Sequence, residues 1–157
     1  IQVRRMPRLG GFLSFFLAVL KTLLIYYKGR RVQLDFNGRQ ITLDALMVSI
    51  MNGQRLGGGF WLAPKGLPDD YVFDVCIAKQ VGRFEIMRLL PMFMKGTQEK
   101  HPAIRSVQTT QIRIEALQGG LPAHMDGEII SETDRFLEIQ LLPHQLDVIN
   151  PVESHAA

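Results

Sequence analysis

The chain has 157 residues and a mass of 17.8 kDa, the size of one folded unit. Hydrophobic residues make up 46% and charged residues 21%, with a mean hydropathy of +0.07, which excludes a disordered chain and fits a substantial core. The net charge of +3, with no Lys/Arg run longer than two, argues against a nucleic-acid binder. The single cysteine, Cys76, excludes an intramolecular disulfide and a cysteine-rich zinc site and fits a reducing cytosol. The chain opens on Ile1, as a piece of a longer protein would.

Residues 12–27 are apolar apart from Ser14, Lys21 and Thr22, and Arg4, Arg5 and Arg8 precede them. A spanning helix needs about 20 apolar residues, or about 30 Å. This run reaches only about 24 Å at 1.5 Å per residue, and no small-residue cleavage site follows it. Phe12, Phe16, Leu20, Leu23 and Tyr27 recur at three- and four-residue steps, which predicts an amphipathic helix ended by Gly29. Such a helix packs on a sheet or touches bilayer lipid through its basic flanks.

Residues 32–36 alternate apolar and polar, Asn37-Gly38 suits a type I′ turn, and residues 39–43 form the returning strand. Residues 46–51 read as a third, more buried strand ending at Asn52-Gly53. A fourth is expected over 71–78, a helix over 83–94 kinked or ended by Pro91, and strands over 104–116, 136–142 and 146–149. Many short strands with two helices and no βαβ alternation indicate a mainly β chain, an antiparallel β-sandwich with inserted and flanking α-helices, built as one domain over residues 1–157.

Three polar clusters interrupt this apolar pattern. The first surrounds Gly57, Gly58 and Gly59, whose backbone is free to present amides to a phosphate or to form a flexible hairpin loop. The second runs from Ala63-Pro64 through Asp69-Asp70 to Asp74; it suits a hard divalent cation or a solvated turn before a strand. The third is His124-Met125-Asp126-Gly127-Glu128. Two carboxylates flanking a glycine would share a hydroxyl proton or a metal-bound phosphate, and their mutual repulsion favours a base working near neutral pH. The same tripeptide also makes an ordinary hairpin turn.

Taken in order, Asn52, Gly57-Gly58-Gly59-Phe60, Ala63-Pro64, Asp69-Asp70, Lys95-Gly96, His101-Pro102, Asp126-Gly127-Glu128 and the segment from Leu142-Pro143 to Pro151 resemble the C-terminal domain of the diacylglycerol kinase, sphingosine kinase and bacterial YegS-type lipid kinase family. The likeness runs from about Gly10 to Pro151. It implies half of a two-domain enzyme that phosphorylates a lipid hydroxyl with ATP and Mg2+, the nucleotide being held mainly by an N-terminal domain with a Gly-Gly-Asp-Gly-Thr loop. That loop is not in this sequence, so the chain alone is expected to be inactive. By position, Glu128 would accept the proton with Asp126 assisting, Gly57 to Gly59 would line the cleft, and a structural magnesium would use the Asp70 side chain with the carbonyls of Leu67 and Val72. Two departures fall in that loop: Tyr71 stands where the family usually has glycine, and Pro68 lies within it.

Phe60, Trp61, Met87, Met92 and Met94 are candidates for an apolar lipid cavity or for plain core. The expected partners are a lipid with a free hydroxyl, ATP, anionic membrane contacted peripherally and a second copy as a homodimer, with no nucleic acid, in the cytoplasm. The competing reading is a non-catalytic β-rich lipid-binding or interaction module. The related NAD kinase architecture shares the two-domain plan, but the Ala-Pro and Asp-Asp loop favours the lipid kinases.

Overall fold

A computed structural model describes residues 29–57 and 59–145; the expected helix over 12–27 and strand over 146–149 lie outside them. Among the described residues ten strands, one α-helix and one 3-10 helix follow in chain order. β1 (Arg30–Phe36) and β2 (Arg39–Met51) form the expected hairpin. Asn37 and Gly38 both carry positive φ, 51° and 67°, the mirror-image turn whose twist matches the two strands. Val32, Leu34 and Phe36 are buried while the residues between them are not, so the two-residue period sets the core face.

β2 corrects the expected pair of separate strands. It runs on through 13 residues, pairing with β1 over its first half and with β5 (Phe73–Lys79) over its second. The register slips between Ala45 and Met47. No glycine or proline stands between Leu43 and Met47, and an irregularity of one residue bends the strand instead of ending it. The slip also reverses the phase: Ile41, Leu43 and Ala45 face the main core before it, and Val48 and Ile50 after it.

The six-stranded antiparallel sheet has the order β10-β7-β1-β2-β5-β6. β6 (Ile104–Thr109) and β7 (Gln111–Ala116) replace the single strand expected over 104–116. They stand four places apart in the sheet although only Thr110 separates them. The sheet therefore folds back on itself, with β10 (Phe136–Gln140), β7, β1 and the first half of β2 in one layer, and the second half of β2 with β5 and β6 in the other. The corner is pinned by polar groups: the Thr109 hydroxyl lies 2.7 Å from the Gln111 carbonyl oxygen and 2.9 Å from Asn37 Oδ1, while Asn37 Nδ2 donates to the Gln108 carbonyl at 2.8 Å.

Between the layers Leu34 and Ile112 are fully buried beside Val32, Phe36, Val75, Ile77 and Ile114. The opposite face of β5 presents Cys76 and Ala78 to a second cluster with Leu89, Leu90 and Phe93 of α1 (Arg83–Lys95). β5 is thus buried on both faces, which accounts for its continuous apolar run. Pro91 neither ends α1 nor leaves it short, since the helix continues to Lys95. Pro91 is exposed, so the backbone bond it forfeits lies on the solvent side. Gly96 closes the helix at φ 68°, its N–H donating to the Met92 carbonyl.

Among the described residues no helix is long and apolar enough to cross a membrane. Leu34→Ala removes a side chain with no solvent exposure from the interlayer core and is expected to lower stability by about 2–5 kcal/mol, whereas Gln40→Ala on the exposed face should stay within about 0.5 kcal/mol. Urea unfolding of the two variants checks the contrast.

Candidate active site

The Asp126-Gly127 pair forms the two-residue turn of a small hairpin between β8 (Ala123–Met125) and β9 (Glu128–Ser131), closed by the Met125 and Glu128 pair. Asp126 has φ 50° and Gly127 φ 93°. An aspartate tolerates the left-handed region better than most residues, and glycine adopts it freely, so the sequence dictates the turn. Asp126 and Glu128 are both exposed, as are Met125, Ile129 and Ile130 around them. Strong burial is confined to the base of the hairpin. There the buried Ser131 hydroxyl donates to the Leu121 carbonyl at 2.8 Å and accepts from the Asp134 N–H at 3.2 Å, while the Leu121 N–H donates to the Asp134 carbonyl at 2.8 Å. Leu121 belongs to the interlayer core. The hairpin is therefore rooted in the sandwich and free at its tip, a placement that leaves the carboxylates open to a ligand from outside the domain.

The glycine loop joins β3 (Arg55–Leu56) to β4 (Phe60–Trp61). Gly57 takes φ 59°, Gly59 is half-buried, and Gly58 lies outside the described residues. The Arg55 guanidinium stacks over the opposite Trp61 ring at 3.7 Å, which braces this short hairpin.

In the second cluster the Val72 N–H donates to Asp70 Oδ1 at 3.2 Å, an Asx turn made by the aspartate's own loop. Tyr71 adopts φ 61°, so the position keeps the backbone shape for which glycine is suited, although it carries a ring. The Tyr71 ring packs 5.0 Å from the His144 ring. Leu67 is exposed, and Asp70 and Val72 are half-buried. Among the described residues no group of three His, Cys, Asp or Glu side chains is placed to hold a metal. A cation would have to rest on the Asp70 carboxylate together with backbone carbonyls and water. That all-oxygen donor set fits magnesium, which keeps several waters.

The structure does not bring the two acidic clusters together. The Asp-Gly-Glu hairpin is rooted where Leu121 and Arg135 meet the start of β10, the Ala116 N–H donating to the Arg135 carbonyl at 2.8 Å. The Asp70 loop meets His144, beyond the other end of β10, where the Leu141 N–H donates to the Thr110 carbonyl at 2.8 Å. Five strand residues, about 16 Å, separate the two attachments.

Beside Asp70 the structure shows a feature that the sequence reading did not single out. A cavity of about 290 Å³ is lined by Lys65, Asp74, Cys76, Glu99, Ser106 and Gln108 among others. Lys65 Nζ lies 2.7 Å from Glu99 Oε2, and Gln108 Nε2 donates to Asp74 Oδ1 at 3.2 Å. Desolvation first, then the charges of Asp70 and Glu99, push Asp74 above its ordinary value, while its bond from Gln108 opposes them. The Lys65 hydrogen bond holds Glu99 below its ordinary value. Burial pushes the Cys76 thiol up to about 11, which leaves it unreactive near neutral pH. Asp74 ended the Asp-rich run in the sequence, but Glu99 is 25 residues away in the 3-10 helix Gln98–Lys100, and only the fold makes them neighbours.

The five candidates for a lipid cavity do not share one. Phe60 is buried and Met92 partly buried in the cluster under α1, Trp61 is half-buried against Arg55, and Met87 and Met94 are exposed on the far side of the helix. None of them lines the cavity beside Asp74. Lys95-Gly96 and His101-Pro102 prove architectural: Gly96 caps α1, and His101 Nδ1 accepts from the Ala103 N–H at 3.2 Å while its Nε2 faces Glu85 Oε1 at 3.2 Å.

The profile of the YegS C-terminal NAD kinase beta sandwich-like domain matches residues 2–150. The chain belongs to that family. The YegS-type domain is 23% identical over 112 residues to a diacylglycerol kinase of Mycobacterium tuberculosis, covering 71% of this chain and 35% of that protein. A crystal structure of a diacylglycerol kinase from Bacillus anthracis superposes with a TM-score of 0.62 at 23% identity, covering 82% of this chain and 42% of that one. The domain thus resembles the C-terminal domain of diacylglycerol-kinase-like lipid kinases and spans less than half the length of these relatives.

The electrostatics around Asp74 carry a pH signature. Its native pKa lies above the ordinary 3.8, so its ionisation opposes the fold as pH rises through the range between the two. Glu99, lowered from 4.5, acts in the other direction: its contribution is complete above 4.5 and is lost as pH falls through its native value. Glu99→Gln and Asp70→Asn should each move Asp74 back down toward 3.8, read by carboxyl NMR titration.

Proposed function

We propose that this domain supplies the catalytic turn and acceptor side of an ATP- and magnesium-dependent lipid kinase of the diacylglycerol kinase type, transferring phosphate to a lipid hydroxyl. The observation that carries this reading is the Asp126-Gly127-Glu128 turn, held at the tip of a hairpin rooted in the core and flanked by exposed Met125, Ile129 and Ile130. The family membership and the diacylglycerol kinase relatives support it.

Glu128 accepts the proton of the lipid hydroxyl as that oxygen attacks the terminal phosphorus of ATP and the bond to the departing ADP breaks, and Asp126, two residues away across the turn, orients the same hydroxyl. The apolar flank favours the non-polar body of a lipid beside the reacting group, because burying Met and Ile against it removes apolar surface from water. Bound magnesium would supply neutralisation of the phosphate charge. The nucleotide is bound mainly outside this domain, with the loop of Gly57, Gly58 and Gly59 facing the cleft. At the separate loop, the Asp70 carboxylate with the carbonyls of Leu67 and Val72 would hold a structural cation.

In the full-length protein, Glu128→Gln should lower kcat on a dispersed diacylglycerol by at least about 100-fold with an unchanged circular dichroism spectrum. Near-normal turnover would remove Glu128 from the mechanism, and a wild-type protein without lipid phosphorylation would leave the domain as a binding module. Asp70→Ala should reduce the melting temperature more in magnesium than in chelator; equal losses in both would place no cation at that loop.

A further inference from the structure

α1 is apolar on a second side besides the one that meets the sheet. Ile86, Leu89, Leu90 and Phe93 face the sheet and are buried. Phe84, Met87, Pro91 and Met94 follow the helical repeat at steps of three, four and three along the outer side, all exposed. Phe84 is 90% exposed, Met87 47% and Met94 37%. Arg88 and Lys95 are also exposed and lie within about 40° of Phe84 around the axis, so two cations border the apolar stripe. The one acidic residue of the helix, Glu85, turns instead toward His101 at 3.2 Å. Among the described residues this second apolar face serves no core, and an exposed apolar face of this kind marks an interaction surface.

We infer that this outer face of α1 is the surface on which the protein docks to an anionic lipid bilayer, lying in the plane of the interface with Phe84 and Met87 inserted and Arg88 and Lys95 at the headgroups. The choice of a lipid surface rests in part on the lipid kinase reading above. Two further observations favour it. The stripe offers on the order of 400 Å² of apolar side chain, about half of what each side of a stable protein interface contributes, but enough for an interfacial helix that sinks about 5–10 Å. The positive border complements anionic headgroups, whereas a self-association through the same face would set Arg88 and Lys95 against their own copies. The helix is 13 residues long, about 20 Å, so it rests on a bilayer and does not span one.

The test uses the full-length protein and vesicles of equal parts phosphatidylcholine and phosphatidylglycerol. Phe84→Ser with Met87→Ser should weaken vesicle binding at least about tenfold, and Arg88→Gln with Lys95→Gln should abolish the preference over pure phosphatidylcholine, while turnover on a short-chain, water-soluble diacylglycerol stays as in wild type. Glu128→Gln should bind the vesicles normally, which separates failure of docking from failure of the catalytic reading. A fluorophore at Met87→Cys should brighten on vesicles and be quenched by brominated lipid. Undiminished binding of the serine variant, or a fluorophore already shielded before vesicles are added because residues 1–28, another part of the protein or a second copy covers α1, would overturn the proposal.

Discussion

The bend in β2 is the constraint on which the rest of this structure depends. One strand of 13 residues serves both layers, and the slip between Ala45 and Met47 lets it turn its apolar residues inward on both sides of the corner. Without the phase change, the second half of β2 would direct Val48 and Ile50 away from the core that Leu34, Ile77 and Ile112 complete. The same corner leaves Cys76 and Ala78 of β5 facing outward, and that second apolar face is what α1 covers. Layer, core and helix follow from one irregularity.

The two acidic clusters acquire different characters from this scaffold. The Asp-Gly-Glu hairpin is anchored only at its base, through Ser131 and Leu121, so its carboxylates remain exposed. The Asp70 loop is tied back by its own Asx turn, by Tyr71 against His144 and by the cavity that holds Asp74 and Glu99. Exposed groups at a tip suit a reaction with a partner from outside, while partly desolvated groups in a tethered loop suit structural binding. Tyr71 shows how such a loop keeps its form without glycine: the backbone adopts φ 61° at a cost of about 1 kcal/mol, and the ring contact with His144 offsets part of it.

Local patterns in the chain were legible where the chemistry was local. The alternation of residues 32–36 and Asn37-Gly38 specify their hairpin, and Asp126-Gly127 specifies its turn, because each depends on neighbouring residues and on φ preferences alone. Boundaries were misread where distant contacts decide them. Thr110 breaks the run 104–116 because the sheet must turn a corner held by Asn37 and Thr109, and Pro91 stays inside α1 because its missing bond faces solvent. The methionines illustrate the same limit, since helical spacing cannot say which of two apolar stripes meets the sheet.

By itself the sequence determined the mainly β class, the turns, the acidic tripeptide and the family resemblance, and its length and composition were enough to exclude a disordered chain. It could do so because hydrophobic period and turn chemistry act over a few residues. Tertiary structure alone decided that the Asp70 loop and the root of the Asp-Gly-Glu hairpin attach near opposite ends of β10, that Glu99 and Asp74 line one cavity although 25 residues apart, and that Phe84 and Met87 are exposed while Phe93 is buried. Those facts depend on how two layers and a helix pack in space, which no local pattern encodes.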